Sequence, residues 1–196
     1  MSEIRGPQAI VPSLLIDNSV TTLVWKTFLV LAGSFAIAVA AHIKVPFWPV
    51  PMTLQTLAIF AIAAAYGRNL AILTVIAYLA EGAAGLPVFV NGSGLAYFAG
   101  PTTGYLAGFV LAAAVTGAAA DRGWGANPFK LFGANLAGEI IILALGAAWI
   151  AAMFGSDKAF AWGVGPFIAT DLVKIALASA LVPALASALR KWFPRS

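Results

Sequence analysis

EGAAGLPVFVNGSGLAYFAGPTTGY, residues 81–105, breaks a chain that is otherwise one apolar run after another. Gly85, Gly92, Gly94, Gly100 and Gly104, with Pro87 and Pro101, interrupt any helix here, yet the stretch stays apolar and aromatic where a solvent loop would be hydrophilic. Non-helical backbone at membrane depth is tolerated only where protein buries it or it lines a cavity, and glycine lets such backbone come close to a ligand. A loop packed around a small-molecule pocket is therefore the leading reading. An interfacial connector carrying aromatic anchors is the alternative.

The composition sets the class. Hydrophobic residues make up 62% of the chain and charged residues 9%, against roughly 45–50% apolar in soluble domains. The mean hydropathy is +0.96. An all-α integral membrane protein follows, whose 196 residues accommodate about six spans of ~20 residues with little left for a soluble domain. Cysteine is absent, which excludes disulfides and thiol chemistry. A net charge of +4 is explained by residues flanking the spans rather than by a nucleic-acid surface. The sequence contains no G-x-x-x-x-G-K-[ST], H-E-x-x-H or G-x-S-x-G pattern, no metal-ligand spacing and no internal repeat. These absences predict a binding unit without a catalytic centre, a metal or a nucleotide site.

In chain order, residues 1–24 read as a cytoplasmic or interfacial leader, residues 25–192 as a single six-helix membrane domain, and 193–196 as a cytoplasmic tail. Span one is expected at about 25–43, with Ala32, Ala36 and Ala40 forming a small-residue stripe that permits close helix contact. In the following KVPFWPVPMTLQT, Pro46, Pro49 and Pro51 force the chain to turn. Spans two and three, about 53–66 and 70–84, form a hairpin around the tight turn GRN, Gly67 to Asn69. Spans four, five and six are expected at about 103–120, 131–153 and 164–189, with Pro183 kinking the last. With both termini on one side, that side receives Arg5, Lys26, Arg68, Arg122, Lys130, Arg190, Lys191 and Arg195, and the other only Lys44 and Lys158. The positive-inside rule then makes the termini cytoplasmic. The proline-rich turn, the glycine-rich loop and the start of span six share the external face.

Asp171 and Lys174 are the sharpest candidates, because ionised groups within a span are costly and a three-residue spacing puts both on one helix face. A ligand site and a structural ion pair are both open readings. Asn91 offers an amide that donates and accepts, suited to a ureido group, but Asn-Gly is also a turn dipeptide. Tyr97, Tyr105 and Phe98 either wall an apolar ring or anchor at the interface. Gln55 is a ligand contact or a helix cap. Glu139, four residues after Asn135 and on the same face, is expected to hydrogen-bond between helices as a neutral carboxyl. His42 is expected at the interface.

VPFWPVPMTLQT, GLPVF with the glycine-rich stretch, GPTTGYLAGF, and DLVK together resemble the BioY biotin transporters, the substrate-binding (S) components of energy-coupling factor (ECF) importers. The resemblance covers nearly the whole chain after the leader. It implies six helices, a glycine-rich external binding loop and a biotin pocket near the external surface. It also implies coupling to an ECF transmembrane subunit and paired cytoplasmic ATPases in the bacterial inner membrane. By the same similarity Asn91, Asp171 and Lys174 match ligand-contacting positions, Gln55 and Tyr105 lie in matching motifs, and Ala32, Ala36 and Ala40 match a contact with the coupling subunit. Biotin is then transported ligand rather than cofactor, and the chain is not an enzyme. Other readings are an S component for another vitamin, a self-contained facilitator or secondary transporter, and, more distantly, an intramembrane enzyme.

Overall fold

A computed structural model describes residues 19–192. The expected leader, apart from its last residues, and the expected tail lie outside this range. Most of the described chain is helical. Helix α1 runs Ser19–His42 within the described residues, so the chain is already helical before Trp25. The proline-rich stretch that follows departs from an all-α fold: strands β1 (Lys44–Val45) and β2 (Met52–Thr53) pair antiparallel, Lys44 opposite Thr53 and Val45 opposite Met52. The prolines exclude helix there, and the short extended arms on either side satisfy each other's backbone groups.

Helices α2 (Gln55–Tyr66) and α3 (Arg68–Ala83) follow, joined at Gly67 with φ +78°. That dihedral is ordinary for glycine and strained for any other residue. Asp121 Oδ2 accepts from the Arg68 backbone N–H at 3.0 Å, tying the start of α3 to the end of the next long helix. Helix α4 is Thr103–Asp121 and α5 is Pro128–Phe154. Asn127 caps α5, its side chain accepting from the amides of Phe129 and Lys130, with Pro128 at the first helical position. A short α6 (Ala159–Gly163) leads into α7 (Ile168–Trp192), which continues through Pro183.

Among the described residues, four helical stretches are long and apolar enough to cross a membrane: Thr21–His42, Thr103–Asp121, Pro128–Phe154 and Ile168–Ala188. At 12 and 16 residues, α2 and α3 rise only ~18 and ~24 Å, less than a hydrocarbon core of ~30 Å. The six expected spans thus correspond to four helices of spanning length and a shorter pair.

Helix α4 is central and packs against α2, α3 and α5, while α1 lies on α3 and α2, and α7 on α2 and α5. The α4–α5 seam is tight because a side chain at Gly146 would overlap the Tyr105 ring. Polar bonds tie α5 to two neighbours nearer its start. Asn135 Oδ1 accepts from Thr116 on α4 at 3.1 Å, and its Nδ2 donates to Ser179 on α7 at 3.0 Å. In an apolar bundle such bonds fix how three helices meet. Large side chains left outside, including Leu23, Phe28, Leu31 and Phe35 on α1, suit contact with lipid rather than water.

Candidate functional site

The hairpin, the glycine-rich segment and the start of α7 meet at one end of the bundle, where they enclose a cavity. The space measures about 520 Å³ including its open mouth and the solvent there. Val50, Pro51 and Thr53 come from the hairpin, Gln55 and Thr56 from α2, and Tyr78 from α3. Val90, Tyr97 and Thr102 come from the glycine-rich segment. Helix α4 adds Tyr105, Leu106 and Phe109, and α5 adds Glu139, Ile142 and Leu143; Phe167, Asp171 and Lys174 complete the wall from the α7 side.

The glycine-rich segment holds its shape through aromatic packing. Phe89, only 2% exposed, fits against Gly82 because any side chain at that position would overlap its ring. Tyr97 stacks on Phe89 with centroids 4.5 Å apart, and Tyr78 and Phe98 meet it edge-on at 5.4 and 5.6 Å. Gly94 turns at φ +80° and its N–H donates to the Gly82 carbonyl at 2.7 Å, folding the segment back onto the end of α3. Burial pushes the Tyr97 hydroxyl above its ordinary pKa, so it remains protonated and able to donate.

Gln55 and Tyr105 line the cavity with their polar ends already engaged. Gln55 Nε2 donates to Tyr78 Oη at 2.8 Å, its Oε1 accepts from Thr53 Oγ1 at 3.0 Å, and Tyr78 Oη donates to the Val88 carbonyl at 3.1 Å. This relay ties hairpin, α2, α3 and loop together. Tyr105 Oη donates to the Gly163 carbonyl at 2.7 Å, leaving its ring to face the space.

Asp171 and Lys174 form a buried ion pair at the cavity wall. Lys174 Nζ also donates to the Thr53 carbonyl at 2.8 Å. Of the three ammonium donors, one is left for a further acceptor. The pair therefore serves the structure and faces the pocket at once.

Asn91 is placed differently. Its side chain is exposed, outside the cavity wall, and Oδ1 accepts from Lys44 Nζ, which also bonds the Val90 carbonyl at 2.9 Å. The preceding residue, Val90, is the one that reaches the cavity. His42 is exposed at the end of α1 and its Nδ1 donates to the Ala38 carbonyl at 2.8 Å. Along the stripe on α1, Ala36 is exposed, Ala32 half-buried and Ala40 buried.

Glu139 makes the expected contact between helices, its carboxyl lying against that of Asp171 on α7 at the cavity wall, and Asn135 makes another to α4 and α7. Thr53, Thr56, Tyr78, Thr102 and Phe167 also line the cavity and were not singled out from sequence. Thr102 stood within the GPTTGY motif, and Tyr78 was an isolated polar-tipped side chain within an apolar run, so both left a faint signal.

A family model described as BioY matches residues 16–191. A biotin transporter BioY of Thermotoga maritima is 40% identical over 157 residues, covering 77% of this chain and 90% of the relative. A probable biotin transporter BioY of Pyrococcus horikoshii is 36% identical over 142 residues, covering 72% and 83%. The crystal structure of an S-component for biotin from an ECF-type ABC transporter superposes with a TM-score of 0.74 at 25% identity, covering 88% of this chain and 95% of that one. These relatives are transporters or transporter components, not enzymes. Matched along nearly its whole length by the family pattern and over most of each relative's own length, this chain belongs to the BioY family.

Proposed function

We propose that this chain captures biotin in the cavity and passes it inward as the substrate-binding component of an ECF-type importer. The observation that carries the reading is the buried Asp171–Lys174 pair, with a spare ammonium donor, on the wall of an aromatic-lined cavity. Biotin presents a ureido ring, an apolar sulfur-containing ring and a carboxylate, and the site offers acceptors, aromatic rings and one cation for them. The names of the relatives support the substrate, and the S-component neighbour supports the division of labour. With no nucleotide loop in the sequence, energy comes from paired cytoplasmic ATPases through an ECF transmembrane coupling subunit. Of the stripe Ala32, Ala36 and Ala40, the exposed Ala36 and the half-buried Ala32 supply the contact with that subunit.

Purified protein titrated calorimetrically with biotin, thiamine and riboflavin should bind biotin saturably and the other two not at all. Co-reconstituted with the coupling subunit and ATPases, it should take up biotin only with ATP. Binding of a different vitamin overturns the substrate, and full uptake without ATPases favours a self-contained facilitator.

The same reading completes six membrane-embedded helices with α2 and α3, places the cavity and the glycine-rich segment outside, and keeps both termini in the cytoplasm of a bacterial inner-membrane protein. The charge asymmetry between the two sets of connections supports it. A reporter fused after Ser196 should be active in its cytoplasmic form, and one inserted at Ser93, exposed in the glycine-rich segment, in its exported form. The reverse pattern would invert the orientation and close the external route to the cavity.

A further inference from the structure

The buried hydroxyls of this bundle are engaged, with one exception. Among the described residues the buried serines and threonines are Ser34, Thr56, Thr74, Thr116 and Ser179. Ser34 donates to the Glu81 carboxylate, Thr74 to the Leu70 carbonyl at 2.8 Å, Thr116 to Asn135 Oδ1 at 3.1 Å and Ser179 to the Ile175 carbonyl at 2.7 Å. Thr56 is 7% exposed, and its Oγ1 has no hydrogen-bond partner among the described residues. Of these side chains it alone lines the cavity. Buried polar atoms are almost always partnered, so an exception placed in a cavity wall points to a partner that the ligand brings.

Local structure explains why the protein does not supply that partner. A threonine within a helix closes its hydrogen bond on the carbonyl one turn earlier, as Thr74 does. Thr56 is the second residue of α2, and the residues three and four places before it, Thr53 and Met52, belong to strand β2. The Thr53 carbonyl already accepts from Lys174. Gln55, the preceding residue, commits its amide to Tyr78 and Thr53. Asp171, Lys174 and Glu139 lie against one another. The Thr56 hydroxyl is the polar group of the wall that this network leaves out.

We propose that Thr56 is a specificity-determining ligand contact, its hydroxyl hydrogen-bonding an oxygen, nitrogen or sulfur atom of the bound molecule and disfavouring a carbon at that place. The assignment rests on the biotin reading and adds to it a contact on α2, apart from the ion pair of α7. In the ligand-free protein the hydroxyl contributes nothing to the fold, because a buried hydroxyl without a partner is less favourable than the apolar group of the same shape. Removing it therefore has opposite effects on the two states: the free protein is no less stable, and the complex is weaker.

The test titrates the full-length protein, Thr56→Val and Thr56→Ser calorimetrically with biotin and melts each of them without ligand. Valine keeps the branched shape and removes the hydroxyl; serine keeps the hydroxyl and removes the methyl group. Thr56→Val should bind biotin about fivefold more weakly, the size of one neutral hydrogen bond, and melt no lower than the parent. Thr56→Ser should bind biotin nearly as the parent does, even where its melting temperature falls. Parent-like biotin affinity in Thr56→Val overturns the assignment. So does a Thr56→Val that melts clearly below the parent or does not fold, since the hydroxyl then serves the protein itself. A Thr56→Ser that binds as weakly as Thr56→Val also overturns it, by placing the effect in the methyl group. Each of these results leaves the biotin reading standing, whereas a parent that binds no biotin overturns that reading and this contact with it.

Discussion

Lys174→Met should weaken biotin binding by roughly a hundredfold, the largest loss expected of any single change at the cavity. Methionine keeps the reach of the side chain and removes the charge and every donor. The donor not spent on Thr53 and Asp171 is the one offered to the ligand, and a charge-assisted hydrogen bond is worth ~1.5–3 kcal/mol, or roughly 10- to 150-fold. The substitution also strands Asp171, and an ion left buried without its partner costs about 3–5 kcal/mol of stability. Lower yield alone would therefore say little. The double variant Asp171→Asn with Lys174→Met separates the two effects, since it removes both charges together. A purely structural pair predicts that the double variant regains both the parent's melting temperature and its biotin affinity. A ligand-binding pair predicts recovered melting with binding still lost. Calorimetric titration beside thermal melts reads both quantities, and recovered binding in the double variant would move the pair out of the site.

The helices were legible because apolar runs and their punctuation are local properties. The expected spans at 53–66 and 103–120 meet helices at Gln55–Tyr66 and Thr103–Asp121, each bounded by glycine or proline signals that act within a few residues. Asp171 and Lys174 were legible for a similar reason, since charge inside an apolar helix stands out wherever the helix packs. The hairpin was not. Prolines excluded helix there, but strand pairing between Lys44–Val45 and Met52–Thr53 is set by how the turn closes. Asn91 shows the same limit, because its partner Lys44 lies 47 residues away in sequence and draws the amide to the exposed side of the segment. Asn135 and Glu139 are the sharpest case: both sit on one face of α5, one turn apart. Helical spacing gives them equal standing, yet packing closes around Asn135 and opens into the cavity at Glu139. Where a bundle opens along its length is a property of several helices together, which no single helix's periodicity reports.

Ala36→Trp should leave biotin binding near the parent's and cut partner-driven uptake by about tenfold or more, equivalent to ~1.4 kcal/mol lost from docking. Among the described residues none of α1 lines the cavity, so the substitution lies away from the proposed biotin contacts. Ala36 is exposed between larger exposed side chains, Phe35 at 70% and Val39 at 46%. It therefore forms a notch into which a facing helix can settle, and tryptophan fills that notch with the largest side chain available. The rest of the stripe is not equivalent. Ala40 is buried, and its carbonyl accepts from the Leu54 amide at 3.2 Å, directly beside the Thr53 carbonyl's residue and the start of α2. Ala40→Trp should therefore disturb the hairpin and weaken binding itself, which makes it the contrast for Ala36→Trp. Titration of each purified variant, beside ATP-dependent uptake with the coupling subunit and ATPases co-reconstituted, distinguishes the outcomes. Unchanged uptake by Ala36→Trp would remove this face of α1 as the docking surface. Binding lost in both variants would mean that the whole stripe packs within this protein, and that the coupling subunit approaches through another face.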